Sequence, residues 1–294
     1  MSFATICSNA ILIWYTGLLP SLLPFMILSN LVVRMHLETW LIKIAEIILR
    51  PLFSLSSQAN YVIGAGFLFG FPMGAKVIGQ LYEDKRLSYH ESMYLLAFCN
   101  HLSPIYIITY VIPLLKISGI QAIKYVCLFY GVPLFYGIVL RYTYYKKRIP
   151  FHTKLIGIKN VQNKNDRYSF CYSLDVAITD ALISIAKMGG YMVALSAASY
   201  IYKQIITAFP VRFCDVEMLY STTFALFEIS AGLAALPLSN VNIFLSLLYI
   251  TIGGLSCVFQ TRSVLKNTDI SLKPYIIHKL INCIIISVLY FFIR

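Results

Sequence analysis

An acid inside a membrane-grade stretch is the first feature that asks for chemistry. Glu228 stands in FALFEISAGLA, residues 224–234, within a run from 218 to 261 that carries no other charge. A carboxylate at the bilayer centre costs about 2.5–3.5 kcal/mol on insertion scales, so it normally faces a partner or water. In the first half, GFPMGAK, residues 70–76, follows an uncharged run and ends on Lys76. Gly70 and Gly74 permit backbone angles that other residues resist, while Pro72 removes a donor and pushes Phe71 away from helical geometry. A helix restarting near Ala75 would present free N–H groups and its positive dipole end beside Lys76. Such an end favours an anion by on the order of 1 kcal/mol per interaction. The plainer alternative is that Lys76 snorkels to the interface and the glycines only allow close packing.

Further polar groups gather at other interruptions: Asn100, His101 and Ser103 in CNHLSP (99–104), and Asn240, Asn242, Ser256, Gln260 and Thr261 around Gly253 and Gly254. Singly, each reads as a helix–helix hydrogen bond; together they would line one midplane site. Catalysis finds little footing. His101 and Ser103 are two apart and would point to different sides of a helix, so they cannot form a nucleophile and base pair. Five scattered histidines show no metal-ligand pattern. Neither an enzyme nor a cofactor is expected.

The elements that must position these groups are membrane helices. The chain has 294 residues, 59% hydrophobic and 12% charged, with a mean hydropathy of +0.75, which excludes an ordinary soluble domain. Uncharged runs cover residues 1–33, 51–75, 92–115, 125–140 and 229–261, and about 20 apolar residues span the hydrocarbon layer. The first run lacks a preceding positive charge and is too long for a typical signal core, so it reads as a retained helix. Seven scattered cysteines without a Cys-x-x-Cys pair suggest small core residues rather than a disulfide frame or metal site. The net charge of +12 is concentrated in the loop Arg141 to Arg167, which in a membrane protein marks the cytoplasmic side rather than a nucleic-acid partner. Recruitment of a partner or anionic lipid by that loop is the alternative.

Spans are expected at 10–33, 125–140, 188–208 and 272–293, with broken helices near 57–83, 88–115, 218–238 and 240–266. Residues 37–50 carry Leu37, Trp40, Leu41, Ile44, Ile47 and Ile48 opposite Lys43, Glu46 and Arg50, which suits a helix in the interface. Ser88 and Glu91 form a capping-box pattern. With the amino terminus outside and 57–83 turning back, Arg34, Lys43, Arg50, Lys85, Arg86, Arg262, Lys266, Lys273 and the basic loop fall inside. Lys116, Lys124, Lys203, Arg212 and Arg294 stay outside. The first half then makes three crossings, so the second begins on the opposite face. The expected fold is therefore all-α, a polytopic membrane protein of two inverted repeats, each with a re-entrant or broken helix. Residues 1–143 form one repeat, 144–170 the basic cytoplasmic loop and 171–294 the second repeat.

LPSLLPFMILSNLVV (19–33), GFPMGAKVIGQLYED (70–84), LLAFCNHLSPIYII (95–108), FEISAGL (227–233) and GGLSCVFQ (253–260) together resemble the YlbJ (SpoVV) sporulation integral membrane family. The resemblance covers nearly the whole chain. It implies a nucleoside-recognition, or Gate, domain like the repeats of concentrative nucleoside transporters, in the cell membrane of a spore-forming bacterium. That could be the mother-cell-derived membrane around the forespore. A member of the family is proposed to carry dipicolinate toward the forespore. By motif, the positions implied for the solute are Gly70, Pro72, Gly74, Lys76, Asn100, Glu228, Ser230, Gly232, Gly253, Gly254 and Gln260, with Ser103 beside them. His101 and Leu102 stand where small or amide residues are usual, and Val258 where histidine is common. These departures bear on the substrate more than on the architecture.

Transport of a small anionic solute is thus the leading expectation, with Glu228 holding a coupling ion or proton. A nucleoside-like solute, met by amides such as Asn100 and Gln260, is the second reading, and a sporulation scaffold the third. The expected partners are the lipid bilayer and the solute, not nucleic acid; assembly into homo-oligomers stays open.

Overall fold

The structure, a computed structural model, describes residues 2–35, 38–151, 170–208, 216–236 and 239–293. Among these, all regular structure is helical, and six helices are long and apolar enough to cross a membrane. Lys154, Lys159, Lys164 and Arg167 of the basic loop lie outside the described residues, as do Leu37 and Arg212.

The first helix, α1, runs through Phe3–Leu12, a π-helical turn at Ile13–Leu18, and Leu19–Arg34. Pro20 and Pro24 cannot donate to the carbonyls behind them, and the ladder widens just before. Helix α2, Glu38–Phe53, turns Glu46 inward, where its carboxylate accepts from the Ser57 hydroxyl at 2.5 Å and lies 3.8 Å from Arg50. Ile47 and Ile48 face outward at 78% and 60% exposure. An outward apolar face is stable when the surroundings are hydrocarbon, which suits the interfacial placement expected from the pattern. The side chains of Trp40, Leu41, Lys43 and Ile44 lie outside the described part.

Helices α3, Ser57–Phe69, and α4, Met73–Glu83, form a hairpin. A Cβ built on Gly74 would sit 3.3 Å from the Cα of Gly66, whereas eight residues of straight helix span about 12 Å. The chain therefore turns back at Gly70–Pro72. At the far end of α4 the Tyr82 hydroxyl donates to Asp269 at 2.6 Å, so this tip lies beside the loop after residue 264.

Helix α5, Tyr89–Cys99, opens with the expected capping box, each of Ser88 and Glu91 accepting from the other's backbone. After a break at 100–103, α6 continues through Pro104–Tyr106, Ile107–Val111 and Ile112–Leu115, and α7 covers Gly119–Tyr142. Arg141, fully buried at the end of α7, donates to the carbonyls of Phe53, Ser54, Tyr145 and Pro150. It ties three stretches of chain together at the base of the basic loop.

Helix α8 spans Phe170–Ala208, starting well before the span expected from residue 188. Asp175, Asp180 and Lys187 truncate the apolar pattern, but the helix continues because Asp180 is paired with Arg34 of α1 at 2.9 Å. At 39 residues it extends about 58 Å, far beyond the bilayer core. Along its length the Trp14 indole donates to the Ile185 carbonyl at 2.9 Å, and the Asn30 amide to that of Ala177 at 3.2 Å.

The remaining elements are α9 (Val216–Phe227), α10 (Ile229–Ala235), α11 (Asn240–Ile252), α12 (Gly254–Val264) and α13 (Leu272–Ile293). The last helix packs against α5 and α7 as well as α11 and α12, so the chain's two halves are interlocked.

Candidate functional site

The two breaks of the first half are pinned to each other. The Phe71 N–H donates to the His101 carbonyl at 2.5 Å, satisfying a donor freed by the hairpin turn. Gly70 has φ +69°, and a Cβ there would run into the backbone of Ser103. The Cys99 carbonyl, at the end of α5, lies 2.8 Å from where a Cβ of Gly74 would stand.

The second half makes its own reversal. Glu228 ends α9 and caps α10, its Oε2 accepting from the Ala231 N–H at 2.6 Å, and it is 3% exposed. A Cβ on Gly232 would collide with the Ala225 backbone, so α10 folds straight back on α9. Gly253 and Gly254, both with positive φ, carry the turn from α11 into α12, which lies against the Ala225 and Leu226 carbonyls.

Hydrogen bonds join these reversals across the molecule. The Tyr106 hydroxyl of α6 meets the Ser230 hydroxyl at 3.0 Å, and the Tyr110 hydroxyl donates to the Ser230 carbonyl at 2.8 Å. Between them lies a chamber of about 320 Å³, lined by Phe71, Ser103, Glu228, Ser230, Ser256 and Gln260 among mainly apolar side chains. Its size is at the lower end of small-molecule sites, and apolar walls with a few convergent polar groups are their usual composition.

Of the polar residues singled out in the sequence, Ser103, Glu228, Ser230, Ser256 and Gln260 line this chamber. Pro72 and Lys76 do not; they line a second cavity of about 290 Å³, which shares Met26, Met73 and Gln260 with the first. Lys76 sits on α4, three residues past the helix start. Gly70, Gly74, Gly232, Gly253 and Gly254 line neither cavity; Gly70, Gly74, Gly232 and Gly254 make the close backbone contacts that shape the walls, and Gly253 turns the chain with a positive φ. Asn100 lies behind the wall, donating to Thr261 at 3.0 Å and Tyr275 at 3.2 Å, while its buried Oδ1 has no partner.

One residue escaped the sequence reading. Lys279 of α13 is 3% exposed, with its Nζ 3.2 Å from His101 Nδ1 and 5.6 Å from the Tyr275 ring centroid. The other ring nitrogen of His101 bonds the Phe98 carbonyl. A carbonyl only accepts, so Nε2 carries the proton and Nδ1 receives one from the ammonium. Lys279 also neighbours the thiol of Cys257, which lines the chamber. No carboxylate is bonded to it among the described residues. A lysine six residues past Lys273, inside the apolar final span, was the available signal.

Comparison with known proteins agrees with the architecture. No family model matches the chain, and no solved structure matches it. The chain is similar to the sporulation integral membrane protein YlbJ of Bacillus subtilis (strain 168), with 24% identity over 307 aligned positions that cover 92% of this chain and 72% of the relative. With six helices long and apolar enough to cross a membrane and a match of that extent, this chain is a multi-pass membrane protein similar to the sporulation integral membrane protein YlbJ.

Proposed function

We infer that the protein is a carrier for a small anionic solute, built as two inverted repeats around the chamber. The observation that carries this reading is the meeting of two chain reversals, at Gly70–Pro72 and at Glu228, beside one cavity whose walls come from both halves. Irregular backbone is tolerated at membrane depth only where protein or a watery cavity satisfies it, and paired broken elements around a midplane site are the architecture of alternating access. The repeat pairs α1 with α8, the hairpin α3–α4 with α9–α10, α5–α6 with α11–α12, and α7 with α13. Two features support it: α1 packs on α8 and α7 on α13, as counterparts beside a two-fold axis would. Likewise α4 packs on α12, while α6 bonds α10 through Ser230.

The solute assignment follows from shape and charge. Phe25, Phe69, Phe71 and Tyr106 offer a flat ring apolar walls, with Ser103, Ser230 and Gln260 as hydrogen-bonding groups. Among the described residues Glu228 is the only carboxylate on the wall, and Lys279 adds one positive charge behind Cys257. An anion is then best accommodated when Glu228 carries the coupling proton or cation, leaving the lysine as the countercharge. The relative's place in sporulation makes dipicolinate the first solute to test. The same walls would accept a nucleoside base, the neutral alternative.

Uptake of labelled dipicolinate by proteoliposomes tests this, with nucleosides and other carboxylates as competitors. Concentrative or counterflow uptake, competed by carboxylates and lost in Glu228→Gln at equal protein level, is expected. No uptake of any of these solutes by the wild-type protein, or full uptake by Glu228→Gln, would overturn the carrier reading and leave a scaffold.

A further inference from the structure

The second cavity is a separate construction from the chamber. Its walls are α4, α8 and α12, and it lies on the side of the molecule where Arg34 pairs with Asp180. Lys76 on α4 and Lys187 on α8 both line it, and neither has a hydrogen-bond or ion-pair partner among the described residues. Both lie near the level of the chamber, which the carrier reading puts inside the bilayer: Lys76 follows the turn at Pro72 by four residues, and Lys187 immediately precedes Met188, which lines the chamber. Lysines at membrane depth without partners face water-filled space.

The acids of this cavity are arranged differently. Glu83 is seven residues beyond Lys76 on α4, and Asp180 seven residues before Lys187 on α8. Seven residues are two helical turns, so on each wall acid and lysine share a face about 10 Å apart. In both cases the acid is at the outer end: Glu83 ends α4 in the exposed tip, and Asp180 is already neutralised by Arg34. The cavity therefore has its acids at the rim, one paired with Arg34 and the other at the exposed tip, and two unpaired lysines deeper in. It adjoins the chamber, since Met26, Met73 and Gln260 line both spaces.

We propose that this cavity is an anion-capture vestibule, with Lys76 and Lys187 as its two binding cations and Met26, Met73 and Gln260 as the partition that an anion passes to reach the chamber. The ligand class is a small carboxylate or comparable anion, and the face is the one bearing Arg34, Lys85 and Arg86. Capture at Lys76 and Lys187 stands on the cavity alone; passage through the partition rests on the carrier reading above.

The two parts are separated by different measurements. Ser184, which lines the vestibule, is replaced by cysteine, and its reaction rates with 2-sulfonatoethyl and 2-trimethylammonioethyl methanethiosulfonate are measured in nanodiscs, with labelling of the parent protein subtracted. Charged clefts concentrate counter-ions by roughly tenfold or more, so adding Lys76→Gln and Lys187→Gln should lower the anionic-to-cationic rate ratio about tenfold. The neutral methyl reagent, which should react equally in both backgrounds, reports that the site is intact. If the double variant fails to fold, Lys187→Gln alone, at an exposed side chain, carries the same comparison with a roughly threefold fall expected, the square root of the double effect. An unchanged ratio overturns the vestibule. In uptake, Lys187→Gln should raise the half-saturating concentration of dipicolinate several-fold with little loss of maximal rate. An unchanged half-saturating concentration alongside a lowered labelling ratio removes the passage step and keeps the capture site. Absence of uptake by the wild-type protein, with the labelling shift present, removes the carrier reading and keeps the anion site.

Discussion

Glu228 has two separable duties. Its Oε2 accepts the Ala231 N–H and so caps α10, and its carboxyl faces the chamber. Glutamine keeps an acceptor oxygen at the same position, whereas alanine removes it, and loss of such a cap costs about 1 kcal/mol. Glu228→Gln should therefore leave the melting temperature of the purified protein close to wild type while abolishing uptake; Glu228→Ala should lower both. Equal thermal loss in the two variants would mean that the charge itself holds the turn. Lys279 poses the opposite case, a cation in the interior with one nitrogen partner and no carboxylate. Replacing an uncompensated buried charge with an apolar side chain of similar length is often neutral or stabilising. Lys279→Met is expected to melt at or above the wild-type temperature and to lose carboxylate uptake. A large fall in melting temperature would assign Lys279 a structural role instead.

Among the elements, the hairpins depend on backbone contact rather than on side-chain interdigitation. The Gly74 Cα faces the Cys99 carbonyl and Gly66 so closely that any larger residue must separate α4 from α5. Overpacking of this kind costs about 1–3 kcal/mol or more, so Gly74→Val should lower thermal stability by at least that amount, read from the unfolding midpoint in detergent. Gly131 of α7, with nothing within 4 Å of a built Cβ, provides the control: Gly131→Ala should be neutral or slightly stabilising, because alanine is the better helix former. Arg141 works at the same scale. Its guanidinium satisfies the carbonyls of Phe53 and Ser54, where α2 gives way to α3, and of Tyr145 and Pro150 after α7, and removing a donor from buried acceptors costs about 1–3 kcal/mol. Arg141→Met should destabilise accordingly, whereas Arg34→Ala, which breaks a pair with both side chains 34% exposed, should cost under about 1 kcal/mol.

For the molecule as a whole, the turn at Gly70–Pro72 decides the topology. In the proposed inverted arrangement, six crossings with two turned-back hairpins would put both termini on one face and the tip at Glu83–Arg86 on the other, beside the 265–271 loop that Tyr82 reaches through Asp269. Single cysteines introduced at Lys85 and Lys147 should therefore be labelled by an impermeant maleimide only after permeabilisation, and one at Lys116 in intact cells. Labelling of the Lys85→Cys variant in intact cells would mean that 57–83 crosses the membrane, and the inverted arrangement would fail with it.

The sequence by itself determined the spans, the capping box at Ser88–Glu91, the interruptions at Pro72, Asn100 and Gly253, and the one acid in the second half's apolar run. All of these are local: composition over about 20 residues, or proline and glycine within a single turn, is enough to specify them. Helix α8 was shortened in that reading because Asp175, Asp180 and Lys187 interrupt its hydropathy, while the Arg34 partner that accommodates Asp180 lies 146 residues away. Only the tertiary structure decided that Lys76 lines the second cavity rather than the Glu228 chamber, that Asn100 braces the wall from behind, and that Lys279 meets His101 across 178 residues. Which side chains share a cavity depends on how distant helices cross and how far each is rotated, and no periodicity along one helix records either quantity.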